Sequence, residues 1–257
     1  MRFHFFKYQA TGNDFILIDN RSGETSLSRD QIARMCDRRF GVGADGVILI
    51  NPDAAADFNV DYYNSDGSQS LCGNGSRAAV MFASRLGIMN GKARFSAYDG
   101  LHEAELDGEG IVRLKMNDVT RCDRLGADFL IDTGSPHYIR FVDGVESFPV
   151  VQEGRAIRNS APYRAKGVNV NFVELRDGNT IFVRTYERGV EDETLSCGTG
   201  VTAAALAASF HGFTSPVAVL TRGGNLRVEF KTGQSGMFHD IFLIGPAKMV
   251  FEGDLEL

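Results

Sequence analysis

Two cysteines in this chain stand in matching local sequences, Cys72 in Cys-Gly-Asn-Gly and Cys197 in Cys-Gly-Thr-Gly. The match runs on: sixteen residues starting at Cys72 align without a gap on sixteen starting at Cys197, and half of the positions are identical. The pairs are Cys72 with Cys197, Gly73 with Gly198, Gly75 with Gly200, Ala78 with Ala203, Ala79 with Ala204, Ala83 with Ala208, Ser84 with Ser209 and Gly87 with Gly212. Each copy follows a polar turn and leads into an Ala-rich run closed by Gly, which reads as a loop opening a buried helix. The pattern implies an internal duplication with one cysteine at each helix start.

A thiol at a helix start sits beside backbone N–H groups that have no acceptor within the helix, and at the positive end of the helix dipole. That placement can lower a thiol pKa from about 8.5 into a range of roughly 3.5 to 7.5. The glycines after each cysteine let backbone approach a ligand, so the same N–H groups could hold a carboxylate. Two such sites facing each other across a pseudo-two-fold axis suit stereochemical inversion at carbon, which takes a proton from one face and returns one to the other. The carbanion formed between them would push charge onto a carboxylate held by the helix termini. No pyridoxal phosphate is then needed, and no lysine stands in a setting that suggests a Schiff base.

The elements that must carry these residues follow from periodicity. Residues 29–38 read as a helix, with Ser28 and Gln31 as a capping box and a stop before Gly41. Strands are expected at 2–8, 14–19, near 58–62, 92–98 and 101–107, then near 168–175, 180–187, 217–221, 225–230, 238–244 and 247–251. Asp99-Gly100, Asp177-Gly178-Asn179 and Gly223-Gly224-Asn225 mark turns. The polar stretch Asn117–Arg124 reads as a linker. The expectation is an α+β protein of two pseudo-symmetric domains, residues 1–117 and 118–257. Each is a mostly antiparallel curved sheet around a central helix, with the site in the cleft and the last strand able to cross back to the first half.

Composition narrows the function classes. At 257 residues and 43% hydrophobic content the chain can build two ordinary domains. A net charge of −6 with no dense Lys/Arg run argues against nucleic acid as a partner. No long apolar run or leader-like amino terminus is present, so a soluble, cytoplasmic protein with no membrane partner is expected. Four scattered cysteines without a C-x-x-C spacing argue for reduced thiols and against a metal site or a disulfide framework. Cys36 and Cys122 read as inert buried thiols.

Across essentially its whole length the sequence resembles the diaminopimelate epimerases of the cofactor-independent racemase superfamily. The resemblance rests on Gly12-Asn13-Asp14-Phe15, Arg38-Arg39-Phe40-Gly41-Val42-Gly43-Ala44-Asp45-Gly46, Asn64-Ser65-Asp66-Gly67-Ser68, Cys72-Gly73-Asn74-Gly75, Val168-Asn169-Val170-Asn171-Phe172, Glu187-Arg188-Gly189 and Cys197-Gly198-Thr199-Gly200. It implies interconversion of L,L- and meso-diaminopimelate on the route to lysine and peptidoglycan, with no cofactor and a homodimeric assembly. By position, it implies Cys72 and Cys197 as the two acid/base groups and His137 and Glu187 as the residues that tune them. Asn13, Asn64, Asn169, Glu187 and Arg188 would grip the distal amino-acid end, and Gly73, Asn74, Gly198 and Thr199 the reacting carboxylate. Two positions depart from some members: Gly46 stands in place of a Gln, and Ser135 in place of the Asn before Pro136-His137.

Other readings remain open at this level. The scaffold could serve another racemase, acting on proline or a related amino acid, although Asn74 and the Glu187-Arg188 pair favour diaminopimelate. It could be a non-catalytic anion-binding module, or a thiol redox protein. His137 could be an ordinary core histidine, Glu187 and Arg188 a solvated pair, and the asparagines turn residues. The Gly41–Gly46 run lacks the G-x-G-x-x-G spacing of a nucleotide loop and reads as a tight turn.

Overall fold

In the computed structural model, which describes residues 2–70 and 72–256, the chain divides into two compact units. One runs up to Leu114 and resumes from Gly245; the other is Lys115–Ile244. In chain order the elements of the first are β1 (Arg2–Ala10), β2 (Asn13–Asp19), α1 (Arg29–Cys36), β3 (Gly46–Asn51), β4 (Phe58–Asn64), α2 (Gly73–Arg85), β5 (Lys92–Ala97), β6 (Gly100–Leu106) and β7 (Ile111–Lys115). The second contains β8 (Cys122–Leu125), β9 (Asp128–Asp132), β10 (Pro136–Phe141), α3 (Val150–Arg158), β11 (Asn169–Arg176), β12 (Thr180–Glu187), β13 (Asp192–Thr194), α4 (Gly198–Ala208), β14 (Val217–Thr221), β15 (Gly224–Thr232) and β16 (Phe238–Pro246). The last strand, β17 (Lys248–Glu256), pairs antiparallel with β1.

The duplication seen around the cysteines extends to strand pairing. In the first unit β1 pairs antiparallel with β2, β2 parallel with β3, β3 antiparallel with β4, β4 parallel with β5, and β5 and β6 each antiparallel with the next strand. In the second unit β9, β10, β11, β12, β14, β15 and β16 repeat that series of relations in the same order. Even the added edge is duplicated, with β17 on β1 and β8 on β9. Each unit is therefore a mostly antiparallel α+β layer built on one plan.

One helix lies against each sheet. Helix α2 packs on β1 to β4 and β6, and α4 on β9 to β12, β14 and β15. From Gly200 to Ala208 every residue of α4 is buried, and most of α2 is too. A helix that is apolar on all sides is stable only when enclosed, and alanine gives both high helix propensity and close approach. The opposite face of each sheet takes a shorter helix. Ile32 and Met35 of α1 join Phe3, Phe5, Ile16, Ile18, Val47 and Leu49, while Val150 of α3 joins Val168, Val170, Phe172 and Tyr186.

The structure adjusts several boundaries. The break expected after Asn117 lies at Leu114, and the chain from Gly245 returns to the first unit. The end of the expected linker is the start of strand β8. Helix α1 has the anticipated capping box but ends at Cys36, because Asp37 turns extended and its carboxylate accepts the N–H groups of Arg39 and Phe40. Strand β3 is absent from the periodicity reading because both of its faces are covered, which leaves an unbroken apolar run with no alternation.

Helix α3 also escaped that reading, and Gly154 within it shows why. A Cβ there would lie 2.4 Å from Cβ and 2.6 Å from Cγ of Tyr186, so only glycine allows α3 to seat on β12. Alanine would gain about 1 kcal/mol of helix propensity, but the clash is with atoms near the Tyr186 backbone that cannot swing aside. Gly154→Ala is expected to lower stability by about 1–3 kcal/mol through overpacking; urea unfolding showing an unchanged or raised midpoint would contradict this packing.

Candidate active site

Cys72 and Cys197 are the N-cap residues of α2 and α4, in nearly the same extended conformation, φ −131°, ψ 110° and φ −117°, ψ 113°. Each cysteine carbonyl receives the first intrahelical bond, from Ser76 N at 2.7 Å and Val201 N at 2.8 Å. The first-turn N–H groups, including those of Gly73, Asn74, Gly198 and Thr199, therefore have no acceptor within their helix. Neither helix has an acidic residue in its first turn, so no side-chain carboxylate from that turn competes for its positive end.

In the first unit the Cys72 sulfur accepts Gly75 N–H at 3.4 Å and lies 3.5 Å from Asn13 Oδ1. That oxygen also receives Asn74 Nδ2 at 3.4 Å. Asn13 cannot flip, because its own amide nitrogen donates to Asp45. Asp45 is in turn held by the backbone N–H of Asp14 at 3.1 Å and by Arg38 at 2.8 Å. Asp14 lies between Lys7 and Arg38, 2.7 Å from each. Burial alone would raise the Asp14 pKa, but the two cations outweigh it and hold the carboxyl at about 2. Asn64 is placed differently: its amide nitrogen bonds Ser68 O, Ser68 Oγ and Ser70 Oγ, bracing the turn that leads to Cys72.

In the second unit the Cys197 sulfur is 3.5 Å from Thr199 Oγ1, and Thr199 Oγ1 is 2.9 Å from His137 Nε2. His137 is fully buried on β10. Its tautomer follows from Asn171, whose Nδ2 donates to Tyr138 O at 3.3 Å and meets His137 Nδ1 at 3.1 Å, while its Oδ1 accepts from Thr185 Oγ1 at 2.9 Å. An amide nitrogen only donates, so Nδ1 accepts and the imidazole proton sits on Nε2, facing Thr199. Burial, reinforced by the positive charge of Arg188, drives the His137 pKa down to about 3. The histidine beside Cys197 is therefore a neutral hydrogen-bond donor rather than a cation.

Asn169 Oδ1 accepts Arg188 N–H at 2.9 Å, and its Nδ2 donates to Ser135 Oγ at 3.2 Å. Glu187 accepts from Thr194 Oγ1 at 2.8 Å. Arg188 is exposed and donates to Lys166 O at 3.1 Å. The two departures noted in the sequence have physical counterparts. Ser135 Oγ lies 3.0 Å from His137 Nε2, inside this network. At Gly46 a Cβ would come within 2.5 Å of the Tyr62 ring and the Tyr63 carbonyl, which leaves no room for glutamine.

The other two thiols are set apart by burial, which pushes both Cys36 and Cys122 up to about 12. No cluster of metal-ligating side chains occurs among the described residues, and among them no helix is long and apolar enough to cross a membrane. A recess at the far end of α4 from Cys197, walled by Phe210, Phe213, Phe230 and Phe238 with serine and threonine hydroxyls, has no titratable group on its lining. The sequence reading passed over Asp45, Arg38, Asn171 and Thr133, whose hydroxyl holds Thr199 O at 2.9 Å. Asp45 and Arg38 lay within a motif already singled out, but their roles depend on contacts to Asn13 and Asp14, 32 and 24 residues away along the chain.

The family profile described as "Diaminopimelate epimerase" matches residues 5–122 and 129–250. A protein of that name from Flavobacterium psychrophilum is 47% identical over 96% of this chain and 98% of its own length. One from Chlorobaculum tepidum is 43% identical, covering 96% and 99%. Among solved structures, a phenazine biosynthesis protein of the PhzF family from Bacillus anthracis superposes with a TM-score of 0.79 at 13% identity, covering all of both chains. A hydroxyproline epimerase from Agrobacterium vitis gives 0.71 at 15%, covering 100% of this chain and 93% of its own. At those identities the two structures establish the fold.

The electrostatics of His137 generate a test. Burial favours its neutral form in the folded state, with a pKa of about 3 against an ordinary 6.5. Protonation therefore favours unfolding as pH falls below 6.5, at up to about 1.4 kcal/mol per pH unit until the folded value is reached. The His137 ring resonances should show the Nε2–H tautomer and no titration between pH 8 and pH 5; a midpoint near 6.5 would overturn the assignment.

Proposed function

Since the chain belongs to the diaminopimelate epimerase family, we propose that it epimerises L,L-diaminopimelate to the meso isomer by proton transfer between Cys72 and Cys197, without a cofactor. The observation that carries this reading is the pair of cysteine N-caps on duplicated helices, each without an acidic residue in its first turn. One sulfur enters as thiolate and removes the α-proton; the electron pair left on carbon spreads onto the α-carboxylate. The other enters as thiol and delivers its proton to the opposite face. The product leaves with the thiolate and thiol roles exchanged, which readies the enzyme for the reverse direction.

Backbone N–H groups of Gly73, Asn74, Gly198 and Thr199 receive the α-carboxylate, and they stabilise it most when the carbanion has loaded it with charge. This takes the place of an electron-sink cofactor. The Thr199 hydroxyl, backed by His137, is positioned to donate to the Cys197 sulfur when that sulfur is anionic. The distal amino-acid end carries an ammonium and a carboxylate, for which Glu187 and Arg188 are the opposite charges. Asn64 and Asn169 complete the grip through carbonyl oxygens, each of which has two acceptor lone pairs, and Asn13 through the amide hydrogen that Asp45 does not take. Glu187, as the resemblance implies, also serves as a tuning carboxylate. A homodimeric, cytoplasmic enzyme acting in lysine and peptidoglycan precursor synthesis is part of the same proposal.

A racemase for proline would need no distal clamp, and Glu187 with Arg188 favours diaminopimelate for that reason. Reduced protein incubated with L,L-diaminopimelate, a chelator and no added cofactor should form the meso isomer, and in heavy water the product should carry deuterium at the inverted carbon. Cys72→Ala and Cys197→Ala should each lower kcat/KM about a thousand-fold or more, since positioned acid/base groups contribute roughly 10²–10⁴. Retention of a tenth of the activity in either variant would sink the two-base scheme.

A further inference from the structure

Arg77 is fully buried in α2, and among the described residues no carboxylate forms an ion pair with it. Its Nη2 donates to Thr11 Oγ1 at 3.1 Å and to Asn74 Oδ1 at 3.0 Å, Nη1 reaches Gly73 O at 3.5 Å, and Nε has no partner. A buried charge normally keeps a counterion, because removing it from water is costly and neutral hydrogen bonds repay only part of that cost. The fold does not demand it: in the duplicated segment the equivalent position is Thr202, whose hydroxyl simply bonds Gly198 O at 2.9 Å. The same plan is thus completed in one unit with a small neutral residue and in the other with a buried cation.

Its contacts lead to Cys72. By occupying Asn74 Oδ1, the guanidinium turns the Asn74 amide nitrogen toward Asn13 Oδ1, the atom that accepts from the Cys72 thiol at 3.5 Å. Resting on the proposed thiol chemistry, we infer that Arg77 is a positioning residue whose buried positive charge stabilises the thiolate form of Cys72, while its fork, through Asn74, fixes the Asn13 oxygen that accepts the proton of the thiol form. Burial pulls the guanidinium pKa down to about 10, and a negative charge on Cys72 opposes that pull. Without a carboxylate, the sulfur anion serves as the counterion. The lone buried Nε marks the same incompleteness, a donor set sized for more negative charge than the neutral side chains supply.

Alkylation by iodoacetamide across pH, read at the Cys72 peptide by mass spectrometry, measures this without substrate. In the wild type the midpoint should fall below the ordinary thiol value of about 8.5. Arg77→Met, which keeps bulk and removes charge, should raise it by one unit or more, leaving about ten-fold less thiolate at pH 7. Arg77→Lys should hold it within about half a unit of wild type. A wild-type midpoint at or above about 8.5, a folded Arg77→Met protein with the wild-type midpoint, or a full-unit rise in Arg77→Lys would each overturn the inference. If Arg77→Met fails to fold, the wild-type and Arg77→Lys midpoints decide. A wild type that is inactive on diaminopimelate yet shows the low, Arg77-dependent midpoint would refute the proposed reaction and leave this inference standing.

Discussion

The orientation of peptide N–H groups at the starts of α2 and α4 is the constraint from which the rest follows. Those donors cannot be satisfied inside the helix, and here no acidic side chain in the first turn takes them up. Enclosing the helices makes the arrangement durable. Alanine-rich surfaces let each sheet close around its helix, so the N-terminal turn is fixed by core packing rather than by a flexible loop. A cysteine at the N-cap then has its sulfur held beside fixed dipoles, the preorganisation that electrostatic stabilisation requires.

Around that shared frame the two units surround their sulfurs with different polar groups. Cys72 has asparagines, a carboxylate-braced amide and a buried guanidinium nearby. Cys197 has a threonine hydroxyl backed by a neutral imidazole. A duplication that began as two equal halves has thus kept its strand pairing and its cysteines while the residues that tune them diverged, as at Asn74 against Thr199 and Arg77 against Thr202.

Much of the polar scaffolding works by removing choices. An asparagine amide or a histidine ring can sit in either of two orientations, and the wrong one presents a donor where an acceptor is needed. Asp45 settles Asn13, and Tyr138 O with Thr185 settles Asn171, which then settles His137. The ionic cluster of Lys7, Asp14, Arg38 and Asp45 serves the same end, since it ties β1, β2 and the turn before β3 together beneath Asn13.

The sequence by itself determined the duplication, the cysteine helix starts, the capping box of α1, most strands with one exposed face, and the family. These are local: they depend on spacing along the chain and on the period of buried side chains. Tertiary structure decided what periodicity cannot encode. Strand β3 had no alternation to read because it is covered on both faces, and α3 hid behind a glycine that only the contact with Tyr186 explains. It decided too that His137 is neutral, that Asn64 braces a turn, and that Arg77 is a buried cation held by neutral groups. Burial and hydrogen-bond partnership are properties of what surrounds a residue, and those surroundings arrive from distant parts of the chain only when it folds.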